Sequence, residues 1–169
     1  MSLSEPLPDL GLRLVAFRPE MTGWWAEGPA VFEARTGLEV GEAAPWIGKV
    51  LARTRAPEFE GPGGGWHGFW AVEGTAVVGA CAHASRVDGE GRLEMAYFTF
   101  PPFECRGYGR AMAALVRAAG QTRVTGARVI AKTLPEESAS TRILAGIGMK
   151  RVGTELDAQH GEVWVWEAA

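Results

Sequence analysis

The chain has no asparagine, and its 169 residues include only two cysteines and three histidines. Cys81 and Cys105 are too few for a disulfide framework and lack the CxxC spacing of a zinc or redox site. His67, His83 and His160 stand in no metal-ligand spacing with cysteine or acidic partners, so no metal is expected. No window approaches the roughly 20 apolar residues of a membrane span. The start, Met1 to Pro6, lacks the basic and apolar regions of an export signal, so no membrane association and a cytoplasmic location are expected. A surplus of one charge is missing too: the formal net charge is -3. That gives no global electrostatic footprint for a nucleic acid. Lysine is scarce, with only Lys49, Lys132 and Lys150, and arginine carries most of the positive charge. Neither internal repeats nor low-complexity segments are present.

What remains is a composition with 47% hydrophobic and 22% charged residues, which at this length predicts one soluble globular domain. Residues 1–10, with Pro6 and Pro8, read as a loose leader, and 11–169 as the domain. Leu12 to Val15 alternates as a strand. Two helical stretches follow, around Ala26 to Ala34 and Ala44 to Arg53. The run Gly61-Pro62-Gly63-Gly64-Gly65 predicts a loop before a strand-rich centre. There, Gly68 to Val72, Ala76 to Val87 and Arg92 to Phe100 predict an antiparallel meander joined at Glu73-Gly74 and Asp88 to Gly91. Met112, Leu115, Val116 and Ala119 then fall at helical spacing. Ala127 to Thr133 predicts a strand, Pro135-Glu136-Glu137 a helix start, and Arg151 to Leu156 and Glu162 to Glu167 two closing strands.

The densest chemistry lies where the third central strand feeds a helix through Glu104-Cys105-Arg106-Gly107-Tyr108-Gly109-Arg110. A strand, a glycine-containing turn and a helix leave successive backbone N–H groups pointing at one spot beside the positive end of a helix dipole, which suits a pyrophosphate. Gly107 and Gly109 permit close backbone approach, and Arg106 and Arg110 are candidate charge-assisted contacts. The bland alternative is a tight strand-to-helix turn without a ligand. No Gly-Lys-Ser/Thr of a Walker loop and no dinucleotide GxGxxG is present. The basic residues concentrate here: from Cys105 to Pro135 there is no aspartate or glutamate, while Arg106, Arg110, Arg117, Arg123, Arg128 and Lys132 all fall there. A mildly acidic total therefore conceals one basic stretch able to meet an anionic cofactor.

These residues resemble the GCN5-related N-acetyltransferase (GNAT) family, in particular its bacterial ribosomal-protein and small-amine acetyltransferases. Thr99-Phe100-Pro101 followed by Glu104-Cys105-Arg106-Gly107-Tyr108-Gly109 is similar to the family's Val-x-Pro and Arg/Gln-x-x-Gly-x-Gly/Ala, with Glu104 in place of arginine or glutamine. A second stretch about 33 residues on, Glu137-Ser138-Ala139-Ser140-Thr141-Arg142-Ile143 and then Gly148-Met149, is similar to Asn-x-x-Ser-x-Arg and Gly-Phe. Glu137 and Met149 are the departures. The resemblance covers most of Leu12 to Glu167.

It implies an α/β (α+β) fold with a central, mostly antiparallel twisted sheet flanked by helices. Two parallel strands, those ending at Phe100 and Thr133, would splay at a bulge, and the pantetheine arm of acetyl-CoA would insert between them. Backbone of Phe98, Thr99 and Phe100 would pair with the arm, and amides of Cys105, Arg106, Gly107, Tyr108, Gly109 and Arg110 would hold the pyrophosphate. The activity implied is direct acetyl transfer to a primary amine, on a small molecule or a peptide, in a ternary complex. Glu94, on the strand leading into the splay, is the candidate general base, against the alternative of a solvent-facing strand-edge glutamate. For the general acid the family uses a tyrosine or a serine. No tyrosine follows Tyr108, so Ser140 is the candidate, its alternative being ordinary hydrogen bonding in the first turn of its helix. Trp24, Trp25, Phe32 and Trp46 fall in the region that lines the family's acceptor site, although core packing accounts for most of them. Homodimers are common among similar enzymes. A rival reading is a catalytically silent acyl-CoA-binding or protein-interaction module on the same fold.

Overall fold

The computed structural model describes residues 10–54 and 65–168. The loose leader, except Leu10, and Gly61 to Gly64 of the glycine-rich loop lie outside the described residues. Among the described residues, seven strands form one sheet in the order β1-β2-β3-β4-β5-β7-β6. They are β1 (Leu12–Ala16), β2 (Trp66–Glu73), β3 (Ala76–Ala84), β4 (Arg92–Thr99), β5 (Arg128–Thr133), β6 (Met149–Asp157) and β7 (Gly161–Ala168). Every pairing is antiparallel except that of β4 with β5. This is the mixed, mostly antiparallel α/β sheet that the sequence predicts.

The helices divide between the two faces. On one face lie α1 (Met21–Glu27), α2 (Pro29–Thr36) and α3 (Ala44–Thr54), and on the other α4 (Tyr108–Arg123) and α5 (Ala139–Gly146). Where one helix was expected over Ala26 to Ala34, the chain makes two. Gly28 breaks it at φ 133°, a conformation open in practice only to glycine, and Pro29 starts α2 at the position where its missing N–H costs nothing. The last helix also starts later than Pro135-Glu136-Glu137 suggests. Ser138 caps it, with its hydroxyl accepting from the Thr141 N–H and the Thr141 hydroxyl accepting from the Ser138 N–H.

Two buried clusters hold the layers together. Phe32, Ile47, Leu51, Trp70, Val72 and Phe100 fill the face under α1 to α3. Phe32 is fully buried, edge-on to both Trp25 and Trp70, so it is a core residue. Met95, Met112, Val116, Val129, Leu144 and Trp166 fill the face under α4 and α5. Leu93 and Met95 of β4 point at the α4 face, while Phe100, the residue just past β4, points at the other.

β4 and β5 pair only from Arg92↔Arg128 to Met95↔Ala131. β4 nevertheless continues against β3 to Thr99↔Gly79 without any register shift. The strands therefore part as expected, and over this stretch the β3–β4 ladder contains no bulge. Gly79 matters to that ladder: a Cβ there would lie 2.6 Å from the Phe98 carbonyl oxygen and 2.7 Å from Met112 Cε. Gly79→Ala is expected to push β4 off β3 and lower stability by about 1–3 kcal/mol. A denaturant titration checks this, and an unchanged midpoint would show that β4 moves there without cost.

Candidate active site

Beyond Met95 the edge of β4 facing β5 has no strand partner among the described residues. The Phe100 N–H donates to the Val78 carbonyl at 3.0 Å, so this end of β4 turns its even-numbered backbone groups toward β3. The alternation of a strand then leaves the N–H and C=O of Tyr97 and Thr99 on the open edge. Of the stretch Phe98 to Phe100, Thr99 thus offers its backbone to the split, while Phe98 and Phe100 are engaged with β3. Tyr97 joins Thr99 although nothing local in the sequence marks it.

A cavity of about 850 Å³ opens at this split, walled by Glu94, Tyr97, Lys132, Ser140 and Asp157 among others. The two candidate catalytic residues, 46 positions apart in sequence, line the same space. The Glu94 carboxylate is half-buried, 3.5 Å from Lys132 Nζ. Burial pushes its pKa above the ordinary carboxylate value; Lys132 opposes the shift, and Asp157 and Glu155 add to it. It is not the fully solvated strand-edge residue of the alternative reading.

Ser140 is exposed on the first turn of α5. Capping falls to Ser138, and the Ser140 hydroxyl makes no hydrogen bond among the described residues. Its carbonyl accepts from the Tyr97 hydroxyl at 3.3 Å. Burial pushes the Tyr97 phenol up to about 12, so it holds its proton throughout the physiological range. A search for tyrosine downstream of Tyr108 overlooks Tyr97, since only the pairing of strands brings it to α5.

At the far end of the split the chain turns into α4. Cys105 and Gly107 both have positive φ, 61° and 86°. Left-handed residues spaced this way turn consecutive N–H groups inward as a concave nest. The N–H groups of Cys105 through Gly109 have no acceptor among the described residues, and they surround the start of a sixteen-residue helix. Gly107 supplies a conformation. Gly109 supplies room, because a Cβ there would meet Ile143 Cδ1 at 2.9 Å and Thr99 Oγ1 at 3.1 Å. The buried Tyr108 ring points inward and its hydroxyl donates to the Glu73 carboxylate, pinning the turn to the end of β2.

The two arginines of the turn behave differently. Arg106 is exposed and stacks over Phe103 at 5.7 Å. Arg110 instead donates to the Gly146 carbonyl at 3.1 Å, and Arg117 to that of Ile147 at 2.6 Å, so both hold the end of α5. Glu137 has a structural contact of its own, accepting from the Thr141 hydroxyl at 3.2 Å. Trp46 packs edge-on against Phe98 at 6.0 Å, beside the split. His83 is buried with its ring 5.3 Å from that of His67, and His160 contacts Asp157. No group of three or more His, Cys, Asp or Glu among the described residues is arranged to hold a metal.

Comparison with known proteins bears on this geometry. An acetyltransferase of the GNAT family from Bacillus anthracis superposes with a TM-score of 0.51 at 22% identity, over 59% of this chain and 64% of that one, just under two thirds of its length. RimJ from Mycobacterium smegmatis, solved in complex with CoA-disulfide, matches at 17% identity over 92% of this chain and 80% of that one, with a TM-score of 0.60. A spermidine N-acetyltransferase SpeG chimera from Vibrio cholerae and hSSAT matches at 10% identity over 94% and 95%, again with a TM-score of 0.60. At these identities the superpositions speak for the fold alone. No curated protein matches the sequence. The acetyltransferase (GNAT) domain family, however, matches residues 9–150, most of the chain, and the chain therefore belongs to the GNAT acetyltransferases.

Proposed function

We propose that the protein is an N-acetyltransferase that moves an acetyl group from acetyl-CoA to a primary amine by direct transfer in a ternary complex, with residues 11–169 acting as one unit. The observation that carries this reading is the convergence on one cleft of an open strand edge, a half-buried carboxylate and a proton-bearing hydroxyl pair. The residues fit the cofactor. Unbonded N–H groups from Cys105 to Gly109 suit its pyrophosphate, and the free backbone of Tyr97 and Thr99 suits an arm with amides of its own. When bound, acetyl-CoA supplies the acetyl group as a reactive thioester.

The chain's own residues supply the rest. A protonated amine must lose a proton before it can attack, and Glu94 receives that proton inside the cleft. Its raised pKa brings it closer to the operating pH, which makes it a more effective base than a solvated carboxylate. Ser140 and Tyr97 hold protons on the other wall, available to the leaving group. A backbone N–H on the open edge of β4 can steady developing negative charge. Because the turn holds its ligand through backbone, Glu104 in place of arginine or glutamine removes one side-chain contact and leaves the amides intact.

The SpeG neighbour is named for spermidine, and a further neighbour from Vibrio fischeri, at 10% identity and a TM-score of 0.58, for ribosomal protein S5 alanine; these suggest two acceptors to try first. With acetyl-CoA and either spermidine or an alanine-terminated peptide, Glu94→Gln is expected to lower turnover by about 10²–10⁴-fold at neutral pH while leaving acetyl-CoA affinity unchanged. Steady-state kinetics with parallel calorimetric titration checks both halves. Unchanged turnover at every pH would remove Glu94 as the base, and tight binding with no turnover across an amine panel would favour the silent binding module. Wild-type activity should appear as pH rises through the Glu94 pKa, above the ordinary carboxylate range, because the deprotonated form is the base. Tyr108→Phe cuts the link to Glu73, and calorimetry is expected to show up to about tenfold weaker CoA binding, equivalent to about 1.4 kcal/mol. Equal affinity would mean that the turn keeps its shape without that anchor.

A further inference from the structure

Lys132 is the first residue of β5 past its last pairing with β4, so it stands where the split begins. Its side chain lies on the same face of the sheet as Glu94, since Glu94 pairs with Ile130, two residues earlier on β5. The ammonium is 3.5 Å from Glu94 Oε2 and 3.6 Å from Asp157 Oδ2. It is thus shared almost evenly between a strand of the split and the last residue of β6. All three side chains are at least two-thirds buried, so solvent screens them less than a surface ion pair.

The other charges nearby are otherwise engaged or more distant from the carboxylate. Arg92, two residues up β4, is held by Asp88, Glu90 and Glu155. His160, in the β6–β7 turn, reaches the other oxygen of Asp157 at 3.1 Å. Arg86, Asp88 and Glu136 line the same cavity and make no ion pair with Glu94 among the described residues. Among the described residues, Lys132 is the one cation within ion-pair distance of Glu94. Two carboxylates therefore share one ammonium, and Glu155 adds further negative potential.

We propose that Lys132 is a positioning residue: by dividing its ammonium between Glu94 and Asp157, it couples the tip of the β6–β7 hairpin to the protonation state of the candidate base. The inference rests on the reading of Glu94 as that base. The hairpin tip is well built for the task. Asp157 Oδ1 accepts the backbone N–H groups of Gln159 and His160 at 2.9 and 3.1 Å, which fixes the turn and aims Oδ2 at Lys132. The two partners act on Glu94 with opposite sign: Lys132 favours its carboxylate, and Asp157 favours its protonated form, directly and by competing for the ammonium.

Opposite signs give the test its discrimination. The ionisation midpoint of Glu94 can be read by carbon-13 NMR of the glutamate side-chain carboxyls, with its signal assigned as the one missing in Glu94→Gln. This measurement needs neither acceptor nor turnover. Lys132→Met is expected to raise the midpoint by about one pH unit or more, and Asp157→Asn to lower it. Asparagine keeps the Oδ1 acceptor that the turn needs, so this second variant remains informative if Lys132→Met does not fold. Lys132→Arg should return the midpoint toward wild type. The rising limb of kcat/KM against pH, with spermidine or an alanine-terminated peptide as acceptor, should shift in the same directions. Midpoints that stay in place, or move the same way in Lys132→Met and Asp157→Asn, overturn the coupling. Midpoints that move as expected while the limb stays fixed uphold the coupling and overturn Glu94 as the base.

Discussion

The parting of β4 from β5 after Met95 and Ala131 is the constraint on which the rest of the structure depends. A parallel pair that continued would satisfy its own backbone and close the sheet. By stopping, it leaves the edge of Tyr97 and Thr99 without strand partners among the described residues, in the middle of the sheet, where an open edge is normally avoided. Both strands remain rigid through the split because each is still paired on its outer side, β4 to β3 and β5 to β7. The close contact permitted by Gly79 keeps the first of these outer pairings tight. An unpaired edge held on a stiff support is a receptor for another extended chain. The cleft, the nest at its end and the carboxylate at its head all take their positions from that one divergence.

The linear order of elements was readable because strands and helices declare themselves by local periodicity. Arg92 to Phe100 and Ala127 to Thr133 coincide within a residue or so with β4 and β5. The turn through Gly107 and Gly109 was readable because left-handed backbone and close packing both favour glycine. Errors arose where one residue's conformation decides a boundary. Gly28 divides one expected helical stretch into two helices, and Ser138 delays α5 until after the proline and the acidic pair.

Side-chain partnerships were hidden for a different reason. Tyr97 meets Ser140 only because β4 and α5 are brought together by the sheet and α4, and Lys132 meets Asp157 only because β7 lies between β5 and β6. No window of sequence contains either pair. The arginines show the same limit from the other side. A basic run beside a phosphate-like turn invites an electrostatic reading, yet Arg110 and Arg117 point their guanidinium groups at the terminal carbonyls of α5. Their sequence neighbourhood does not distinguish a capping arginine from a ligand-facing one.

That division suggests how the proposed reaction is shared between backbone and side chains. In that proposal the anionic cofactor would be matched by N–H groups, whose direction is set by φ at Cys105 and Gly107 and by the alternation of β4, so a side-chain change such as Glu104 would leave those groups in place. The proposed amine would be matched by side chains, where one group alters the balance: Glu94 would receive the proton, and Lys132 and Asp157 pull its affinity for a proton in opposite directions. A chain evolving toward a new acceptor can therefore change the amine side residue by residue without disturbing the cofactor side. The two are joined at Met95, after which β4 ceases to be a paired strand and becomes an open edge. The net charge of -3 is consistent with this arrangement, because it averages a basic α4 and its turn with an acidic cluster of Asp88, Glu90, Glu94, Glu155 and Asp157 at the head of the cleft. On the proposed reading the acidic side would draw in a cationic acceptor, and Glu94, the proposed base, is one member of the same cluster.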